Sequence, residues 1–291
     1  MGNTVTAPTV ASYNTNQLYG VNSSITVTKP TGLEAGDVLV AYIITGDGSG
    51  HTINTPTNWT SVYASSQSAY RRYKAMYKVA DSSDASASNF SFTTDAAVSY
   101  IGAILVRVTG VPVGSEIRGT YGDKDIDGNT TASFAPAITP LFENSLVLAG
   151  FGGHDEGSNF GSYASTPTMT WTEVTDLTYN YSTLDPTISC AWAVTANTTQ
   201  ITAFQATSGS AGTFYGTLIV FNPVSNSTAT PTMLPQPPTI NPATPTVSVA
   251  RSATLLQNTG TIPTPTSATS AKKWTNTPKN VVSSVTNTPK S

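Results

Sequence analysis

Apolar residues in this chain recur at every second position or in short unbroken runs, and no stretch sustains the 3.6-residue period of an amphipathic helix. Residues 38–44 (VLVAYII) form an unbroken apolar run, which is typical of a strand at the centre of a sheet. In residues 70–79, apolar side chains alternate with Arg72, Lys74 and Lys78, which predicts one buried and one solvated strand face. Gly, Asn and Pro separate these runs at short intervals. The pattern predicts an all-β fold.

A further strand is indicated near residue 190, where Ile188, Cys190, Trp192 and Val194 share one face. A cysteine on such a face is expected to be a small buried apolar residue rather than a reactive thiol. Residues 103–108 form one more candidate for a buried strand.

Four segments of the first half return in the same order in the second half, at separations that drift only from 108 to 115 residues. The matched segments are 37–41 with 145–149, 56–60 with 168–172, 77–79 with 192–194, and 103–111 with 216–224. Trp59 and Trp171 belong to one matched pair, and we expect both to anchor a core. Insertions in loops account for the drift, so the sequence predicts two related halves.

A duplicated all-β chain of 291 residues fits two β-sandwich domains or one large sandwich with pseudo-twofold symmetry. We therefore predict a β-sandwich, of the jelly-roll or Ig-like type, with an internal duplication and an extended Pro/Thr-rich C-terminal tail. The predicted boundaries are residues 1–115 for the first half, 116–225 for the second half and 226–291 for the tail. The alternative is one pseudo-symmetric domain over residues 1–225.

The composition changes after residue 223. Residues 227–291 hold 10 of the 19 prolines, a single aromatic residue and no acidic residue. Their five basic residues give +5, which leaves −8 on the remainder of a chain whose net charge is −3. Pro removes backbone donors and Thr does not build a core, so we expect an extended tail that becomes ordered only against a partner. Its candidate docking residues are Trp274, Lys272 and Lys273, with Lys279 and Lys290 in two copies of Thr-Asn-Thr-Pro-Lys.

The composition argues against several classes of function. Charged residues make up 10% of the chain against the usual ~25%, and the net charge of −3 argues against nucleic-acid binding. A single cysteine rules out a disulfide framework and a cysteine zinc site. With only two histidines and no catalytic motif, we expect no enzyme and no cofactor except calcium. No apolar run approaches the ~18 residues of a membrane span, and the first residues lack the pattern of a secretory signal.

Three phrases of the sequence carry a resemblance to a known module. They are a strand entered by Gly-Asp (GLEAGDVLVAYIITGDG), a Pro-x-x-Trp-Thr turn (PTNWTSV) and a Tyr-Lys-Val-Ala strand (YKAMYKVA). Over residues 20–224 the chain resembles a β-sandwich module of tailed-bacteriophage virion proteins and of some bacterial surface proteins. The resemblance implies a structural protein on the virion surface, in the decoration, cement, fibre or tail class. It also implies other virion proteins as partners, in a homo-oligomer or multi-copy assembly.

An acidic run, DKDIDG, places Asp123, Asp125 and Asp127 at alternate positions before a glycine. Carboxylates at this spacing converge on Ca²⁺ when a glycine makes the following turn. An EF-hand would need Glu at loop position 12, where Phe134 stands, so the sequence predicts a calcium loop of another type. The alternative is a solvated connector between the two halves.

The loops after the two duplicated apolar strands form a second candidate site. Residues 46–51 (GDGSGH) and 152–157 (GGHDEG) contain both histidines, and loops at the end of a sandwich often bind ligands. The candidate ligand-binding residues are Asp47, His51, His154, Asp155 and Glu156, with an aromatic platform from Tyr63, Phe151, Phe160 or Tyr163. The alternative function is therefore a carbohydrate-binding adhesin or receptor-binding module that takes a host surface glycan.

Overall fold

The computed structural model describes residues 5–46, 51–65, 71–124, 131–134, 137–154, 160–178, 186–208 and 214–225. All of these belong to a compact unit that spans residues 1–229, and the rest of the chain, residues 230–291, lies outside the described ranges. The regular secondary structure of the described part is almost entirely strand, in antiparallel sheets, which confirms the all-β prediction.

The strands of the first half, with the one short helix that the described residues contain, are β1 (Val5–Thr6), β2 (Thr9–Thr28), β3 (Val38–Gly46), β4 (Thr60–Ala64), β5 (Arg71–Val79), α1 (Ser82–Ser86) and β6 (Asn89–Thr109). The strands of the second half are β7 (Ile117–Lys124), β8 (Thr131–Phe134), β9 (Leu146–His154), β10 (Gly161–Thr166), β11 (Thr172–Thr178), β12 (Pro186–Val194), β13 (Ala203–Thr207), β14 (Phe214–Phe221) and β15 (Val224–Ser225). β6 ends and β7 begins on either side of the predicted boundary at residue 115.

Two five-stranded sheets form the centre of the molecule. The first has the order β2-β6-β3-β5-β4, and the second has the order β7-β14-β9-β12-β11. β3 is the middle strand of the first sheet and is buried along its whole length, as its unbroken apolar sequence predicts. β9 takes the same place in the second sheet.

The second half repeats the strand order of the first half and also its pairing register. Thr60 on β4 pairs with Tyr77 on β5. The matched residues, Thr172 on β11 and Trp192 on β12, pair in the same way. A register shift follows one residue later in both hairpins, between Ser61 and Tyr63 and between Glu173 and Thr175. A bulge kept in both copies is a strong sign that the halves share one design.

The two five-stranded sheets pack face to face through one large apolar core. This inter-sheet core takes residues from β3, β5 and β6 on one side and from β9, β12 and β14 on the other. Several of the strand contacts across this core have a matched counterpart. The contact of β3 with β12 matches that of β9 with β5, and the contact of β4 with β7 matches that of β11 with β2. Such reciprocal pairing is the mark of a twofold, self-complementary interface, so the halves pack as two subunits of a dimer would.

Tyrosine rings from both halves stack inside the inter-sheet core. The rings of Tyr73 and Tyr215 are parallel within 3° with centroids 6.0 Å apart, and Tyr42 stacks on Tyr73 at 6.4 Å. The hydroxyl groups of Tyr73 and Thr217 are hydrogen-bonded at 2.9 Å, across the interface. Burial raises the pKa of Tyr42 and Tyr73 because the interior disfavours a phenolate. The hydrogen bond between Tyr73 and Thr217 joins the two sheets at a defined position.

Each half also has its own core on the outer face of its five-stranded sheet. β2 and β6 are 20 and 21 residues long. The C-terminal part of β2 and the N-terminal part of β6 extend beyond the other strands of the first sheet and cover one core. In the second half a separate three-stranded sheet, β10-β13-β8, covers the other core. Trp59 packs edge-on against Phe92, and Trp171 packs on Phe204. Both tryptophans therefore act as the predicted anchors, half-buried at the rim of their cores.

The predicted solvated face of β5 is wrong. Lys74 is only 5% exposed, and its Nζ donates to the carbonyl oxygen of Ile53 at 2.7 Å. Lys78 forms a nearly buried ion pair with Asp84, 2.7 Å from Nζ to Oδ1. Asp84 belongs to the capping box of α1, so the helix turn and the 53–54 segment together cover a face that the alternation alone assigns to solvent.

Candidate functional site at the loop-bearing end

The two loops with candidate ligand residues begin side by side. β3 ends at Gly46 and β9 ends at His154, and these are matched positions of the duplication. Pro186, the first residue of β12, pairs with His154. Its Cγ also lies 3.0 Å from the point where a Cβ on Gly46 would stand. The strand ends of the two halves therefore meet at one end of the body, which we call the loop-bearing end.

Several candidate residues fall outside the described ranges. Asp47, Asp155 and Glu156 are among them, and for His154 only the backbone is described. The backbone places His154 at the end of β9, the position that matches Gly46 at the end of β3. His51 lies five positions beyond the end of β3. The two histidines are therefore not at matched positions.

His51 is held against the start of the long strand β6. Its Nδ1 lies 3.2 Å from Oδ1 of Asp95, and the same carboxylate oxygen accepts the backbone N–H of Thr52 at 3.0 Å. The backbone N–H of Asp95 returns a bond to the carbonyl oxygen of Thr52 at 3.0 Å. Next to it, Ile53 and Thr94 form an isolated antiparallel bridge. Asp95 thereby fixes both the backbone and the imidazole at this point.

A cleft of about 250 Å³ opens beside this segment. Its lining residues are Thr52, Ile53, Ala64, Ser65, Arg72, Tyr73 and Lys74. Burial lowers the pKa of Lys74, because desolvation penalises the ammonium group. Ser65 stands at the far side, where its Oγ accepts the backbone N–H of Tyr73 at 2.8 Å. The cleft thus combines two basic side chains, hydroxyl groups and apolar surface.

The second half has a different arrangement at the matched position. Lys74 pairs with Ile43 in the first sheet, and the corresponding pair in the second sheet is Ser189 with Phe151. The hydroxyl group of Tyr163, on β10, lies 2.5 Å from Oγ of Ser189, so the Tyr163 side chain covers Ser189. In the first half the segment before β4 contributes a single bridge instead of a strand like β10. The cleft lies where that cover is reduced.

The predicted aromatic platform is wrong for Tyr63, Phe151 and Phe160. Tyr63, Phe151 and Phe160 are buried in the cores, and Tyr163 is half-buried against Ser189. The three buried rings stabilise the fold and are not exposed to a ligand. Lys74 was not among the residues singled out from the sequence as a site. The duplication offers a signal for it, because the matched residue in the second half, Ser189, carries no charge.

The acidic run is only partly described. The backbone of Asp123 lies in β7, paired with Tyr215, so the run begins as a strand of the second sheet and not as the connector between the halves. Asp125 and Asp127 lie outside the described ranges. Over the residues that are described, no group of three or more acidic, histidine or cysteine side chains is placed to hold a metal ion. The calcium site stays a prediction.

The tail residues proposed for docking, Trp274, Lys272, Lys273, Lys279 and Lys290, all lie outside the described ranges. What the structure does describe is the point from which the tail departs. β15, the last described strand, pairs with β1, Val5 with Ser225 and Thr6 with Val224. The tail therefore starts beside the N-terminal strand.

No family model, no curated protein and no solved structure matches this chain. In the described ranges, no helix is long and apolar enough to cross a membrane.

Proposed function

We propose that this chain is a structural protein of a tailed-phage virion, displayed on the surface of the capsid or the tail as a decoration, cement or fibre-like component. The resemblance over residues 20–224 supports this setting. The second half divides its eight strands β7–β14 between a five-stranded sheet and a three-stranded antiparallel sheet, an arrangement that favours the jelly roll over the Ig-like type. Jelly rolls are frequent in viral capsid proteins.

The pairing of β15 with β1 is the observation that carries the proposed anchoring role. It fixes the start of the tail on the body, so that residues 226–291 act as a tether from a defined point. The tail carries +5 and the remainder −8, which favours contact between the tail of one copy and the body of its neighbour. We propose binding and assembly as the role, and no catalysis.

Deletion of the tail tests the anchoring. A chain that ends at residue 225 keeps all three cores and should retain a cooperative thermal melt. It should fail to enter particles when it replaces the full chain. Trp274→Ala should weaken incorporation, by about 2 kcal/mol or more if this aromatic residue is a hot spot. Incorporation of the shortened chain at normal copy number would contradict the anchoring role.

A receptor-binding module for a host surface glycan is the second candidate function. The convergence of Gly46, His154 and Pro186 favours it, because the strand ends that precede the candidate loops of both halves meet at one end of the body. A glycan array with the full chain distinguishes this function from a purely architectural one.

A further inference from the structure

Lys74 is a buried cation, and among the described residues its ammonium group donates to a backbone carbonyl oxygen and to no carboxylate. Its side chain lines the cleft, is 5% exposed and donates to Ile53. The ion pairs within the described ranges join His51, Lys78, Arg107 and Arg118 to carboxylates, and Lys74 is not among them. A buried ammonium costs several kcal/mol unless an opposite charge accompanies it. The site therefore favours an anion that enters from the cleft.

The comparison between the halves shows that the fold does not require this charge. The matched position on β12 holds Ser189, which Tyr163 caps with a hydrogen bond at 2.5 Å. The matched position to Arg72 holds Thr187, which is buried and uncharged. The two matched sheets thus differ at these positions. The second sheet has neutral residues, and Tyr163 covers Ser189, whereas the first sheet has two basic residues beside an open cleft.

The size and lining of the cleft restrict the anion. Drug-sized ligands occupy pockets of roughly 300–1,000 Å³, so a cleft of about 250 Å³ takes a single small group. The hydroxyl groups of Thr52 and Ser65 stand next to the apolar side chains of Ile53 and Ala64. A sugar ring presents the same alternation, with hydroxyl groups at its edge and C–H groups on its faces.

We propose that this cleft binds the carboxylate of an acidic sugar, with Lys74 as the opposite charge and Arg72 beside it. The proposal rests on the second candidate function, in which the loop-bearing end is the glycan-binding surface. Lys74 supplies a charge-assisted hydrogen bond to the carboxylate, and Thr52 and Ser65 contact the ring hydroxyls.

Titration of the full chain with small probes tests the proposal. The probes are sodium glucuronate, glucose, sodium sulfate and N-acetylglutamate amide. Calorimetry and the changes in amide chemical shifts measure the binding of each probe. Glucuronate should bind saturably and glucose should not. Lys74→Met should weaken glucuronate binding by about thirtyfold or more, because truncating one partner of a buried charge pair is costly.

Two further variants separate charge from folding. Ala64→Leu fills the cleft from an exposed edge position and leaves Lys74 in place, so it should also abolish binding. Arg118→Gln removes the same charge from β7 in the other half and should leave binding unchanged. Equal binding of sulfate would make this a general anion site, and equal binding of N-acetylglutamate amide would make it a protein contact. Either result, or no binding of glucuronate, overturns the proposal and leaves the virion role untouched.

Discussion

Tyr42 on β3 lies directly against Gly150 on β9, and these are the same position in the two halves, 108 residues apart. Two matched residues touch only where a twofold axis passes between them. A side chain on Gly150 would overlap the ring of Tyr42 and the hydroxyl group of Tyr73, so the axis has room for one large residue and one glycine. The two halves have therefore diverged at the axis to fill it without a clash.

Gly150→Ala should destabilise the protein by about 1–3 kcal/mol, because overpacking a close-packed core forces side chains and backbone to shift. Urea unfolding monitored by tyrosine fluorescence measures the change. Gly161→Ala on β10 is the matched control, since a Cβ there meets no atom within 4 Å. Equal stability of the Gly150→Ala variant and the control would show that the sheets are not packed as closely as described.

Residues 1–115 alone should not form a stable soluble domain. The inter-sheet core includes Val38, Val40, Tyr42 and Ile44, which the second half covers, and their exposure would leave a large apolar patch. Pairing of two first halves is blocked as well, because a second Tyr42 would stand where Gly150 makes room. Size-exclusion chromatography and thermal melting of this fragment check the expectation. A monomer with a cooperative melt would contradict it.

Lys74→Met should alter the pH dependence of stability. The lowered pKa of Lys74 means that the unfolded chain holds this proton more tightly than the folded protein does. The wild type therefore gains stability as the pH rises through the folded-state pKa toward the ordinary value of 10.5. The advantage of methionine should be largest at pH 7 and shrink toward pH 11, measured as the difference in the free energy of unfolding.

Lys78→Met is the matched control on the same strand. It leaves Asp84 buried without its cation, so it should destabilise the protein by about 3–5 kcal/mol at pH 7. If both methionine variants change stability in the same direction, the distinction between the two lysines is wrong.

Calcium, if it binds, should bind at Asp123, Asp125 and Asp127. Isothermal titration of Ca²⁺ into the wild type and into the triple Asn variant checks this expectation. Retained affinity in the triple variant would exclude these residues. An absence of any heat of binding in the wild type would exclude a calcium site in the chain.

Local sequence patterns predicted the strands whose buried faces are visible in their own apolar periodicity. The run at residues 38–44 and the alternating face of β5 that carries Tyr73 and Tyr77 are confirmed, and the repeated segments align the pairing of the two halves residue by residue. Cys190 is buried as expected. These features follow from apolar periodicity, which the chain carries locally.

Features that depend on distant partners were not predictable in the same way. β2 is rich in Asn, Ser and Thr and resembles a loop until β6 pairs with it along its length. The local alternation predicts that Lys74 and Lys78 are solvated, but in the fold Lys74 binds the backbone of Ile53 and Lys78 pairs with Asp84. The proposed platform residue Phe151 is buried because the three-stranded sheet lies over it, and no local signal marks that cover.

A cryo-EM map of the particle that carries this protein tests the central proposal most directly. We expect multiple copies on the outer surface of the capsid or tail, each with two packed five-stranded sheets, and density for residues 226–291 that runs from β15 onto a neighbouring subunit. Absence of the chain from purified virions, or a map in which its body is present but its tail contacts no neighbouring subunit, would contradict the account.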